Sequence, residues 1–390
     1  LLNRHIAMWQ SHGYYYESKL TRWEWQRARI FQTVEDLYTQ SYVLPFLVPM
    51  LENAGANVLL PRERDTNTAE IIVDNDGSLS ASSRYIEKIT DKKWNDGAGP
   101  GFAQKKDFYI NNDNPFHDGT FRLIETIKKG KESSAEWIPD IPKAGRYAVY
   151  ISYKSLANSS DDALYTVYHK GGTTQFKINQ TMGGGTWIYL GHFSFDAGRN
   201  YDSRIVLTNK SSKTGKVVTA DAIKIGGGFG NIARRIADSG TTENVKSSDT
   251  KAQEEIKPLP KVDYPYETSG YPRYTEGARY WLQWAGFPED VYSPSKGVND
   301  YTDDYKSRGL WVNYLAGGSS VDPKSEGLNI PIDLSFAFHT DAGTTMNDSI
   351  IGSLGIFCTN TDDTKYTNGV SRYAARDLTD LVQSQIVNDI

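Results

Sequence analysis

Hydrophobic and polar positions follow two different rhythms along the chain. Near the start, the apolar run from Arg4 to Gln10 predicts a short strand, and Glu35 to Ala54 spaces apolar residues at helical intervals. Gly55 stands where a helix C-cap is expected, and Asn57 to Leu60 predicts a second strand. Pro45 and Pro49 interrupt the helical stretch; each removes an amide donor, so a bent or two-piece helix is expected there.

From about Thr66 to Phe229 the rhythm shortens to period two. Gly145 to Tyr153, Leu164 to His169, Thr174 to Ile178 and Ser203 to Leu207 alternate apolar and polar residues between Gly, Asn and Asp turns, which predicts an antiparallel sandwich. Arg234 to Lys261 is rich in Ser, Thr, Lys and Glu, ends in Lys257-Pro-Leu-Pro260, and reads as a solvated linker or mobile loop. Helical spacing returns at Glu276 to Ala285 and Asp303 to Leu315. Strands are expected before His339 and at Ile351 to Cys358, then a helix from about Ser371 to Val387. The expected organisation is an α/β open-sheet domain in two parts, residues 1–65 and 262–390. An all-β sandwich at 66–229 and a linker at 230–261 interrupt it.

Composition removes several function classes. With 390 residues there is room for two or three cores. A formal net charge of -5, with scattered basic residues, lacks the electrostatic footprint of a nucleic-acid binder. Pro45 and Pro49 break the longest apolar run, so no transmembrane segment is expected. The single cysteine, Cys358, excludes an internal disulfide framework and thiolate-cluster metal sites, and its apolar neighbours suggest a core thiol. The chain enters its first strand with neither an initiator Met nor a signal peptide, so a removed upstream segment is expected.

Three residues carry the candidate chemistry. His12 follows the first strand, Glu35 opens the helix, and His339 ends the late strand. Two imidazoles and one carboxylate form a catalytic zinc shell that leaves a fourth position open, where water ionises near neutral pH and can attack an amide carbonyl. Strand ends and a helix N-terminus converge at the carboxyl edge of an open α/β sheet, where such folds place ligands. Asp341 or Asp36 is expected as an outer partner of the histidines. His5, His117, His169 and His192 have no partner at ligand spacing. Tyr14, Tyr15 and Tyr16, with Trp23 and Trp25, occupy the loop between His12 and Glu35. They are expected to overhang the metal, where they either stack on a sugar or pack the loop.

Four ordered motifs resemble the zinc-dependent N-acetylmuramoyl-L-alanine amidases: His12-Gly13, Glu35 at the helix start, the Gly55 to Val58 strand running into Arg62-Glu63-Arg64-Asp65, and His339-Thr340-Asp341-Ala342. The resemblance implies Zn2+ held by His12, Glu35 and His339, with substrate contacts at Tyr14, Tyr15, Trp23 and Asp341. It implies hydrolysis of the amide between muramic acid and L-alanine in peptidoglycan, by a secreted, periplasmic or surface-attached bacterial protein. Members of that family carry a second Glu on the last strand as general base; no Glu follows His339 here, so that strand is expected beyond Ile390 and the base is unassigned.

Residues 66–229 resemble a golvesin-type module. The resemblance rests on Gly145 to Tyr150, Tyr165 to Gly172, Asn179-Gln180, Gly184 to Gly191 and Val218 to Ile223. It implies a β-sandwich that either binds a glycan or acts as a spacer. Proteins joining the two parts are often called xanthan lyases, although a lyase needs a base beside a uronic acid C5 and a charge-neutralising group. The alternatives to the amidase are therefore a glycan-binding surface protein whose amidase fold lacks turnover, and a polysaccharide lyase or its accessory.

Overall fold

The computed structural model describes residues 1–29, 32–77, 82–107, 109–110, 112–233, 268–340, 352–357, 364–366 and 369–389. Residues 234–261 of the expected linker, Asp341 and Cys358 lie outside these residues. The chain divides into two compact units: residues 1–13, 25–61 and 308–390 form the first, and residues 14–24 and 62–307 the second.

In the first unit a βαβ passage sets the frame. The strand His5–Gln10 sits in the middle of a three-stranded sheet, parallel to Asn57–Leu59 on one side and to Leu334–Phe338 on the other. Ile6 pairs with Val58, and Met8 with Phe336, so strands over three hundred residues apart share one register. A parallel pair requires a crossover connection, which the intervening helical segment supplies. That segment is indeed in pieces: an α-helix at Glu35–Tyr42, a π turn at Val43–Leu47, and a second α-helix at Val48–Asn53. Pro45 has no amide to donate and falls within the π turn, which widens the hydrogen-bonding register around it. Pro49 falls in the first turn of the second helix, where a missing N–H costs nothing. Gly55 ends the helix with φ +93°, the left-handed cap that favours glycine. Val43 and Val48 then meet Ile6, Met8, Val58 and Leu60 in a small core.

The second unit holds the antiparallel sheets. One has the order Ile188–Phe195, Gly145–Ile151, Ile223–Gly226, Glu70–Val73; the other runs Gly172–Ile178, Ala163–His169, Ile205–Thr208, Ser134–Ile138, Arg84–Lys88. Val149, Ile151, Ile223 and Ile225 from the first sheet pack in one core with Trp137, Tyr165, Val167 and Leu207 from the second, the arrangement of a sandwich. Every second residue of these strands must face inward, which is why the period-two pattern was readable.

Two expectations need correction. The helix Ala278–Trp284, placed by sequence in the second α/β part at 262–390, belongs to the sandwich unit. Its Trp284 packs on Phe102 and Tyr109, and its indole N–H donates to Glu70 at 3.2 Å, so aromatic burial ties it there. The strand expected at Ile351 to Cys358 is missing from its described part, 352–357, where Leu354, Ile356 and Phe357 are exposed. An apolar run without a ladder partner has no reason to be a strand. The remaining helices, Asp300–Ala316 and Tyr373–Asp389, lie close to expectation. Among the described residues no helix is long and apolar enough to cross a membrane.

Candidate metal centre

The centre is assembled at the carboxyl edge of the parallel sheet. After Gln10 the chain turns at Ser11, whose φ of +44° is left-handed and costs a non-glycine residue roughly 1–2 kcal/mol. The turn is held by the Ser11 amide donating to Phe338 O at 2.8 Å, which also fixes the end of the neighbouring strand. His12 and His339 therefore leave adjacent strand ends side by side, with ring centroids 4.8 Å apart. Glu35 comes from a different direction, as the first residue of its helix, where the dipole favours a carboxylate.

The three side chains meet although the sequence separates His12 from His339 by 327 positions. Glu35 Oε1 lies 3.2 Å from His339 Nδ1 and accepts from the Thr340 amide at 2.8 Å, while Glu35 Oε2 lies 3.7 Å from His12 Nε2. One donor atom from each residue falls within 4.8 Å of the others, and among the described residues this is the group of histidines and carboxylates that could share one ion. Tetrahedral zinc with ligands near 2.1 Å needs ligand atoms about 3.4 Å apart, so the donor set and its spacing fit. Burial pushes the His12 imidazole down to about 3; Arg308, Arg27 and His339 press the same way, and Glu35 opposes them. A neutral His12 keeps a lone pair for coordination at any physiological pH.

The neighbours of the candidate ligands include Gln26, Arg308 and Arg27. His12 Nδ1 is flanked by Gln26 Oε1 at 3.1 Å and by the Arg308 guanidinium at 3.2 Å, and Arg308 also donates to Ser11 O at 2.9 Å. Arg27 Nε stands 3.4 Å from Glu35 Oε2 with its side chain one-third exposed. Sequence reasoning proposed Asp36 or Asp341 for the outer partner. Asp36 is wholly buried, and Asp341 is not among the described residues. Nothing in the spacing of Gln26 or Arg308 points to the site; only chain closure brings them there.

Of the aromatic residues between His12 and Glu35, Tyr14, Tyr15, Tyr16 and Trp23 belong to the second unit, and Trp25 to the first. Tyr14 stacks on Trp23 at 5.9 Å and meets Tyr271 edge-on at 4.8 Å. Tyr15 is buried with its hydroxyl donating to Glu17 at 3.0 Å, which makes it a packing residue, whereas Tyr14 and Trp23 keep part of their faces open. The Arg62 to Asp65 turn also serves the second unit. Glu63 pairs with Lys224 at 2.6 Å, Asp65 Oδ2 accepts the Ala148 amide at 2.6 Å, and Arg62 donates to Glu276 O at 2.8 Å.

Comparison with known proteins bears on the sandwich. Residues 114–227 match the Golvesin C-terminal domain, a narrower span than the 66–229 read from sequence. A 91-residue stretch is 36% identical to the xanthan lyase of Bacillus sp. (strain GL1), covering 23% of this chain and 10% of that protein. The chain thus spans about a tenth of that relative's length. Among solved structures, the Paenibacillus xanthan lyase is 25% identical over 41% of this chain and 13% of its own, with a TM-score of 0.29. CBM35 from Paenibacillus barcinonensis is 12% identical over 40% of this chain and 96% of its own, with a TM-score of 0.23. The matched family segment does not reach His12, Glu35 or His339.

Proposed function

We propose that this chain is an extracytoplasmic, glycan-directed bacterial protein in which a golvesin-type sandwich accompanies a zinc-dependent amide hydrolase centre. The reading rests on one observation above all: His12, Glu35 and His339 present donor atoms within 4.8 Å of one another at the edge of a parallel sheet. Bound zinc would supply Lewis-acid activation of water against an amide carbonyl. The chain's own residues do the rest of the work: His12 and His339 offer ring nitrogens, Glu35 offers a carboxylate oxygen, and the Thr340 amide holds that carboxylate in place at 2.8 Å. Arg27, beside Glu35 and partly open, is suited to meet a polarised substrate oxygen. The general base is left unassigned; no Glu follows His339 in this sequence.

The favoured bond is the amide between muramic acid and L-alanine of peptidoglycan, which the four sequence motifs support. A second reading, that the chain binds glycans or assists a lyase without amide turnover, is supported by the matches at 114–227 and over 91 residues of a xanthan lyase. Metal analysis of the purified full chain tests the centre. About one zinc per chain in the parent, lost in His12→Ala, supports it; substoichiometric zinc unchanged by that substitution removes it. Peptide stems released from purified cell walls, followed by mass spectrometry, favour the amidase. Their absence alongside retained glycan binding favours the second reading, and an ultraviolet-absorbing unsaturated uronic acid product identifies a lyase.

A further inference from the structure

His12 is flanked at one nitrogen by two groups with opposite requirements. Gln26 Oε1, 3.1 Å from Nδ1, can only accept; the Arg308 guanidinium, 3.2 Å from the same atom, can only donate. A neutral imidazole carries one proton, so Nδ1 satisfies one neighbour or the other. Bonding to Gln26 puts the proton on Nδ1 and leaves Nε2 unprotonated on the side of Glu35, whose Oε2 is 3.7 Å away. Bonding to Arg308 leaves Nδ1 bare and puts the proton on Nε2, where a metal would have to displace it. A cationic donor makes the stronger bond in general. Arg308, however, is anchored on Ser11 O at 2.9 Å whichever tautomer is present, and a metal bound at Nε2 on the Glu35 side requires the proton on Nδ1, where Gln26 Oε1 stands to accept it.

We propose that Gln26 is the positioning residue that selects the His12 tautomer protonated on Nδ1 and bare on Nε2, against the opposite pull of Arg308. The assignment deepens the zinc reading of the site and rests on it. Gln26 comes from the loop before the helix that carries Glu35, so one stretch of chain supplies a ligand and the group that readies another. Ligand histidines commonly hand their second N–H to such an acceptor, and loss of that acceptor typically weakens metal binding by about 10–100-fold.

The test uses the zinc-free full chain labelled with 15N-histidine, whose long-range 1H–15N correlations report which ring nitrogen carries the proton; His12→Ala identifies the resonances. The parent is expected to carry the His12 proton on Nδ1. Gln26→Leu should move it to Nε2 and weaken zinc binding by about 10–100-fold in competition with a chromophoric chelator. Gln26→Glu, which keeps an acceptor, should restore both. A parent protein with the proton on Nε2, or a folded Gln26→Leu variant with unchanged tautomer and affinity, overturns the proposal. If the tautomer responds as expected but no variant, parent included, binds zinc, the zinc reading falls and the tautomer assignment stands.

Discussion

The two units bury polar groups in opposite styles. In the sandwich unit the closest buried charges meet their opposites: Lys224 and Glu63, both fully shielded from water, pair at 2.6 Å, and Arg273 bonds Glu70 at 2.5 Å, whereas the buried carboxyls Asp74 and Asp221 crowd each other and hold protons instead. In the α/β unit, electron-pair donors converge on each other, with two imidazoles and a carboxylate sharing one small space. Paired charges satisfy themselves and serve the fold. Two imidazoles beside one carboxylate stand to gain most from a cation, which marks that space, rather than the sandwich's paired or proton-holding groups, as the candidate functional interior.

The contrast should be largest in its response to pH. In the α/β unit, burial lowers the pKa of His12, to about 3, and that of His5 as well. Between pH 3 and 6.5 the unfolded chain therefore binds more protons at His12, and stability rises with pH. In the sandwich unit, burial raises Asp74 to about 9, with Asp221 and Asp76 adding to it, and burial also raises Asp221 and Glu276 to about 8. There the folded state holds the extra protons, and stability falls as pH rises from the ordinary carboxylate range through 8 to 9. His192, lowered to about 4 by burial, opposes this but is one group against three. Each unmatched proton changes stability by about 1.4 kcal/mol per pH unit. Hydrogen exchange of zinc-free protein, read separately over residues 5–10 and 145–151, should show the first segment gaining protection from pH 4 to 6.5. The second should lose protection by pH 9; parallel profiles would break the contrast.

Mutation sharpens it next. Lys224→Met removes the cation beside Glu63 in a dry interior, leaving the carboxylate only its bonds from the Arg64 and Asp65 amides and the Tyr150 hydroxyl, and breaking a buried pair from one side costs about 3–5 kcal/mol. His12→Ala in zinc-free protein removes a neutral ring and should cost about 1–2 kcal/mol. Urea unfolding measures both; a Lys224→Met cost below that of His12→Ala would show that the ion pair is not what holds that interior. Zinc closes most of the gap. At a hundred times its dissociation constant a ligand adds about 2.7 kcal/mol. That gain should appear in the parent, vanish in Glu35→Ala, and survive in a folded Lys224→Met protein.

How far the sequence could be read follows the same division. Zinc chemistry restricts ligands to a few residue types, so His12, Glu35 and His339 could be named from motifs before any contact was known, and the structure brings them together. The sandwich strands were readable because period two records which face is inside. Gln26 and Arg308 were not readable: any polar side chain fits a loop or a helix, and only closure of the chain selects these two for Nδ1. Trp284 misled for the opposite reason. Its helical spacing was correct, but spacing does not say which core a helix will join.

The smallest expected effect concerns Pro45, which the sequence marked as a break and the structure places in a π turn. Proline within a regular helix costs about 3 kcal/mol, but a turn already widened around the missing amide has absorbed that cost. If Val43 and Val48, both buried on the small core, dictate the turn, Pro45→Ala should leave it in place and change stability by less than about 1 kcal/mol. Zinc affinity should then be unchanged, because Glu35 lies before the turn. If the proline dictates the turn, alanine would restore α-helical register and rotate Val48 by about one residue, roughly 100°. That rotation would pull Val48 off the core and cost stability comparable to a lost core methyl pair. Urea unfolding of Pro45→Ala, with helical content by circular dichroism, separates packing from proline as the cause.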